Sequence, residues 1–163
     1  MAMVLPAQHN FIPSRVLLRL PPNSARAVLH TLSQKIALDL SRPLAGVQDM
    51  LSRHQGAAMT PLEQGVMIID QMVLGLDAPY LLIAHLSHPV DFQKGPDHHM
   101  TDLVLIYLSP DTGKMAHIRS VGRLVRYFHN NDLCDMIRGA GSPDAVVAIM
   151  TNGMGMDERR TAA

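Results

Sequence analysis

The feature that most constrains this chain is a change of hydrophobic period in its middle third. Gly65-Val66-Met67-Ile68-Ile69, Tyr80-Leu81-Leu82-Ile83-Ala84 and Leu103-Val104-Leu105-Ile106-Tyr107-Leu108 are short, nearly unbroken apolar runs between polar turns. A strand that is apolar at every position offers no face to water, so it must be covered on both sides. The flanking sequence supplies the cover. Val28, Leu29, Leu32, Ile36 and Ala37 recur at helical spacing behind Asn23, read as a cap. Leu44, Val47 and Leu51 form a second helical stripe after Ser41 and Pro43. Beyond Ser109-Pro110-Asp111, where helix returns, Ile118, Val121, Leu124, Val125 and Phe128 make a third. Asn131 is placed to cap a short helix over Leu133, Met136 and Ile137, and Ser142-Pro143 opens a last one. Arg15–Leu20, closed by Pro21-Pro22, is one more strand. The expected architecture is a three-layer α/β sandwich, a mixed and mostly buried sheet flanked by helices. Residues 1–13 read as a lead-in, 14–151 as one domain, and 152–163 as a disordered tail.

Charge removes several function classes. The 163 residues carry 14 Lys plus Arg against 14 Asp plus Glu, so no net field draws the chain to nucleic acid or an anionic membrane. Arg119, Arg123 and Arg126 cluster, but helical spacing makes them a solvated face. The single cysteine, Cys134, rules out an internal disulfide and reads as a buried, inert thiol. No apolar stretch is long enough to cross a membrane, and the first ten residues lack the pattern of a signal peptide, so a cytoplasmic protein without membrane insertion is expected. Asp97-His98-His99 with Asp102 has metal-ligand residue types, but adjacent side chains in a turn diverge. No metal and no cofactor are expected.

The ordered series of elements resembles the mannitol/fructose/nitrogen type of bacterial phosphotransferase-system enzyme IIA over residues 14 to 150. The family's signature reads roughly G-S-T-G-I-G-N-G-I-A-I-P-H, its last residue carrying the phosphoryl group. Here the corresponding stretch is Ala58-Met59-Thr60-Pro61-Leu62-Glu63-Gln64-Gly65-Val66-Met67-Ile68-Ile69-Asp70. Downstream, Pro89-Val90-Asp91-Phe92 is similar to a "P-I-x-F" turn. Asp102–Ile106 with Ser109-Pro110 is similar to a "V-D-L-L-F-A-L-L-V-P" strand, and His117-Ile118 to an "H-L-x-x-L" helix start bearing an assisting histidine. The resemblance implies that Asp70 stands at the phosphohistidine position and His117 at the assisting position, facing each other, with Thr60 and Gly65 as surviving residues of the binding loop.

The family's acceptor is a neutral imidazole nitrogen, and its loop glycines let backbone N–H groups face phosphoryl oxygens. Three changes oppose that chemistry. Asp70 is a shorter, weaker nucleophile; Pro61 lacks an N–H; Glu63 adds negative charge. Were Glu63 about 5 Å from the phosphoryl group, it would repel each phosphoryl charge by roughly 3 kcal/mol at an effective dielectric near 20. The expected function is a degenerate enzyme IIA-like regulatory protein that binds partner proteins without accepting phosphoryl groups. Its partners would be phosphotransferase-system components, a sensor kinase or a transporter. The competing reading is an active nitrogen-type phosphocarrier using Asp70 or His117 as acceptor.

Overall fold

The computed structural model describes residues 11–52, 57–93, 96 and 98–161, with side chains as far as 153. Met1–Asn10 and Asp97, used in the sequence reading, lie outside the described residues. Among those described, β1 (Arg15–Leu20), α1 (Ala25–Leu40) and α2 (Leu44–Leu51) lead into β2 (Ala58–Leu62) and β3 (Val66–Val73). β4 (Tyr80–Asp91), β5 (Met100–Pro110), α3 (Lys114–Phe128), α4 (Asn131–Arg138) and α5 (Pro143–Thr161) follow. The strands form one mixed sheet in the order β1-β4-β5-β3-β2. β1 runs parallel to β4 and β3 parallel to β5, while β4–β5 and β2–β3 are antiparallel.

The three apolar runs are the three inner strands. Alternate residues feed two cores, as a two-sided strand requires. Ile68, Leu103, Leu105 and Tyr107 pack under α3, α4 and α5, whereas Met67, Ile69, Leu82 and Ile106 pack under α1 and α2. The helix starts are local chemistry. Ser24, one residue beyond the expected Asn23, caps α1 by accepting from the Ala27 N–H at 3.0 Å. Asn130, not Asn131, caps α4 through the Leu133 N–H, and Ser142 accepts from the Ala145 N–H at the head of α5.

Helix α3 begins at Lys114 behind Gly113, after β5 has carried Ser109 and Pro110 to their pairs with Met72 and Val73. One expectation changes. The tail expected to be disordered from 152 is helical as far as Thr161. An internal glycine costs a helix only about 1 kcal/mol, and Gly153 is where Tyr127 packs, its hydroxyl 2.1 Å from where a Cβ would stand.

Candidate functional site

One row crosses the entire sheet. Ser14 donates its backbone N–H to the Leu81 carbonyl, Leu81 pairs with Tyr107, Tyr107 with Asp70, and Asp70 with Ala58. Asp70 therefore sits near the C-terminal end of an inner strand, on the face that α3 covers. Parity puts Tyr107 and Ser109 of β5 on that same face. His117, in the first turn of α3, descends onto all three.

The geometry is that of a closed hydrogen-bond chain. His117 Nε2 lies 2.7 Å from Asp70 Oδ1, and His117 Nδ1 lies 2.6 Å from Ser109 Oγ. The Tyr107 ring stacks on the imidazole, centroids 6.0 Å apart and planes 21° from parallel. Asp70 and His117 side chains are each only 10% exposed. They form the floor of a cleft of about 340 Å³ whose walls include Gln71, Met72, Asp111, Lys114 and Ile118. A carboxylate accepts only, so Nε2 carries the proton it shares with Asp70. Ser109 then meets Nδ1, and the ring has no nitrogen turned to the cleft.

The structure brings Asp70 and His117 together. Thr60 pairs with Ile68 on the edge strand, two residues along from the Ala58–Asp70 pair and on the same face of the sheet. Gly65 is in the β2–β3 turn, at φ +79°, where a Cβ would stand 2.9 Å from Asp102 Oδ1. The expected nearness of Pro61 and Glu63 to Asp70 is corrected by the register. Pro61 pairs with Met67, and Glu63 lies in the turn beyond Val66. Val66 and Asp70 are four residues apart in one strand, about 13 Å at 3.3 Å per residue. The tip of the β2–β3 hairpin, Glu63–Gly65, thus points away from Asp70, the fifth of the eight residues of β3.

That tip has its own network. Arg138 grips Asp102 through Nε at 2.9 Å and a terminal nitrogen at 2.7 Å, and the same nitrogen donates to the Gln64 carbonyl. His85 lies 3.8 Å from Asp102, and burial pushes its imidazole below the ordinary value. His98, expected in a solvated turn, pairs with Asp91, while His99 bonds Thr101 and the Leu62 carbonyl. Among the described residues, no three His, Cys, Asp or Glu side chains converge as a metal site would require.

Sequence reasoning missed Ser109 and Tyr107. Tyr107 was submerged in an apolar run, and Ser109 was taken only as the end of a strand. The available signal was parity: both lie an even number of residues from Leu105, whose side chain is in the core beneath α3.

A family profile described as the phosphoenolpyruvate-dependent sugar phosphotransferase system, EIIA 2, matches residues 11–153. The chain belongs to this family. It is 25% identical over 138 residues to a nitrogen regulatory protein of Bradyrhizobium diazoefficiens, covering 85% of this chain and 90% of that one. The fold is similar to that of the nitrogen regulatory protein IIA-Ntr from Neisseria meningitidis (TM-score 0.73, 22% identity, 84% of this chain and 93% of that one). It is also similar to enzyme IIA for mannitol from Escherichia coli, solved in complex with phosphorylated enzyme IIB (TM-score 0.64, 14% identity, 85% and 94%). No helix among the described residues is long and apolar enough to cross a membrane.

Proposed function

We propose that this enzyme IIA-family chain is a cytoplasmic regulatory protein that docks on partner proteins and accepts no phosphoryl group, with Asp70 standing where relatives carry the phosphohistidine. The observation that carries this reading is the occupation of both His117 nitrogens. Phosphoryl transfer to imidazole needs a ring nitrogen with a free lone pair facing the donor. Here Nε2 is spent on Asp70 and Nδ1 on the buried Ser109. The remaining nucleophile at the cleft is a carboxylate, and metal-assisted carboxylate acceptors rely on further acidic ligands.

Docking has its own support. Exposed apolar side chains gather at the end of the sheet where Asp70 lies. Ile12 precedes the row at Ser14, Leu74 follows the end of β3, and Met115 and Ile118 flank His117 on α3. Such residues, around a nearly buried carboxylate–imidazole pair, are the composition of a protein-binding face. A phosphotransferase-system component, a sensor kinase or a transporter would be the partner.

The test is incubation with phosphoenolpyruvate, the general phosphotransferase enzyme and the histidine phosphocarrier, followed by intact mass. The expected result is an unchanged mass. A phosphoryl adduct mapped to Asp70 or His117 would overturn the proposal in favour of an active phosphocarrier.

A further inference from the structure

The role of Ser109 follows from what each partner of His117 is able to do. Asp70 fixes a proton on Nε2 because a carboxylate is acceptor-only. Nδ1 then exists in two forms, a lone pair in the neutral ring and an N–H in the imidazolium. Few side chains serve both. A hydroxyl does, since it donates to the lone pair or accepts from the N–H by rotating its hydrogen while its oxygen stays in place. Ser109 Oγ, 2.6 Å from Nδ1 on a side chain 5% exposed, is placed to do so.

We propose that Ser109 is the positioning residue of this site: its hydroxyl serves His117 Nδ1 in both charge states, so the Asp70–His117 pair stays assembled, and the docking face unchanged, as the imidazole gains or loses its proton. This rests on the reading of the pair as a docking feature. The surroundings agree with it. Asp70 approaches from β3, Tyr107 stacks from β5, and Asp111 and Lys114 border the same cleft. Of these side-chain types only imidazole titrates in the neutral range. A serine at this point of β5 is otherwise out of character, because the six residues before it, Leu103 to Leu108, are all buried apolar or aromatic. A valine there would fill the same space and leave Nδ1 against hydrocarbon in either form.

The experiment uses the isotopically labelled full chain in four forms: parent, Ser109→Thr, Ser109→Val and Ser109→Ala. Long-range proton–nitrogen spectra report the imidazoles from about pH 5.5 to 8, the range over which imidazole changes charge. His117 is assigned by comparison with His117→Gln. Methyl signals of Met115 and Ile118 report the face, and circular dichroism checks folding. The parent and the threonine variant should keep Nε2 protonated throughout, with stationary methyl signals. The valine variant should lose that signature, and its Met115 and Ile118 methyls should move as His117 titrates. If it does not fold, the alanine variant carries the same expectation. A valine or alanine variant indistinguishable from the parent overturns the proposal, as does a parent whose methyls move as far as theirs. A phosphoryl adduct on the parent would sink the docking reading while leaving the spectra free to decide the role of Ser109.

Discussion

Gly65→Ala separates a binding role for this glycine from a structural one. Gly65 has φ +79°, and an alanine in the left-handed region costs about 1–2 kcal/mol. Its new Cβ would stand 2.9 Å from Asp102 Oδ1 and 3.3 Å from the Met100 carbonyl oxygen. The carbonyl is held in β5, so Asp102 must yield, and its two-point grip on Arg138 weakens. Hydrogen bonds between charged groups are worth about 1.5–3 kcal/mol, and only part would be lost. The sum is a destabilisation of about 2–4 kcal/mol, which for a domain of this size lowers Tm by about 5–15 °C. Urea unfolding of the parent, Gly65→Ala, Asp102→Ala and the double variant measures it. In the Asp102→Ala background the glycine substitution should cost only its backbone share, about 1–2 kcal/mol. The His117 imidazole signals, at the far end of β3, should be the same in parent and variant below the melting range. A loss under about 0.5 kcal/mol, the usual scatter for surface changes, would refute the argument. So would a shift in the His117 signals of the folded protein, which would return Gly65 to the site.

Three further outcomes follow from the same geometry. In an Asp70→His background, adding Glu63→Gly should change the rate of phosphoryl acceptance less than about twofold, because a charge about 13 Å away across water interacts by about 0.3 kcal/mol before screening; a tenfold gain by mass-resolved kinetics would mean the hairpin tip reaches the acceptor after all. Asp39, with its carboxylate held below the usual range first by its hydrogen bonds to Arg15 and then by the Tyr80 hydroxyl, contributes stability that is present above its unfolded value and lost as pH falls through the folded one. The stability gap between parent and Asp39→Asn should therefore close on acidification from about pH 5 to 2, and a gap independent of pH would count against the pairing. Gly153→Ala should destabilise by about 1–3 kcal/mol despite the better helix propensity of alanine, since its Cβ meets the Tyr127 ring and hydroxyl; thermal unfolding should show much of that loss recovered by adding Tyr127→Phe, and no recovery would place the strain elsewhere.

The sheet was legible because three of its strands are apolar on both faces, and only burial between two helical layers accommodates that. β2 was not, since of Ala58, Met59, Thr60 and Pro61 only Thr60 favours a strand and proline opposes one; the strand exists because β3 pairs with it, not because its own residues ask for it. Asp70 and His117 were legible through resemblance, being 47 positions apart, a gap that no local pattern bridges. The loop argument built on Pro61 and Glu63 failed for a geometric reason. Neighbours in sequence were treated as neighbours in space, whereas a hairpin carries its turn away from its strand ends at more than 3 Å per residue. Ser109 was legible only as the end of a strand: nothing in one dimension shows that its hydroxyl meets an imidazole eight residues on.

The place of Asp70 in the row that runs from Ala58 through Tyr107 to Leu81 has a kinetic consequence. β3 lies between β5 and β2, with pairs recorded on both sides of Asp70, so its amide should exchange with solvent only when the sheet itself opens. The carboxylate is thus mounted on a strand held on both sides, while its side chain faces the cleft. A partner arriving there meets a surface with no segment to order first, and little conformational entropy is spent at that point of contact. Differences among partners, or among variants of one partner, should then appear less in how fast they arrive than in how long they stay.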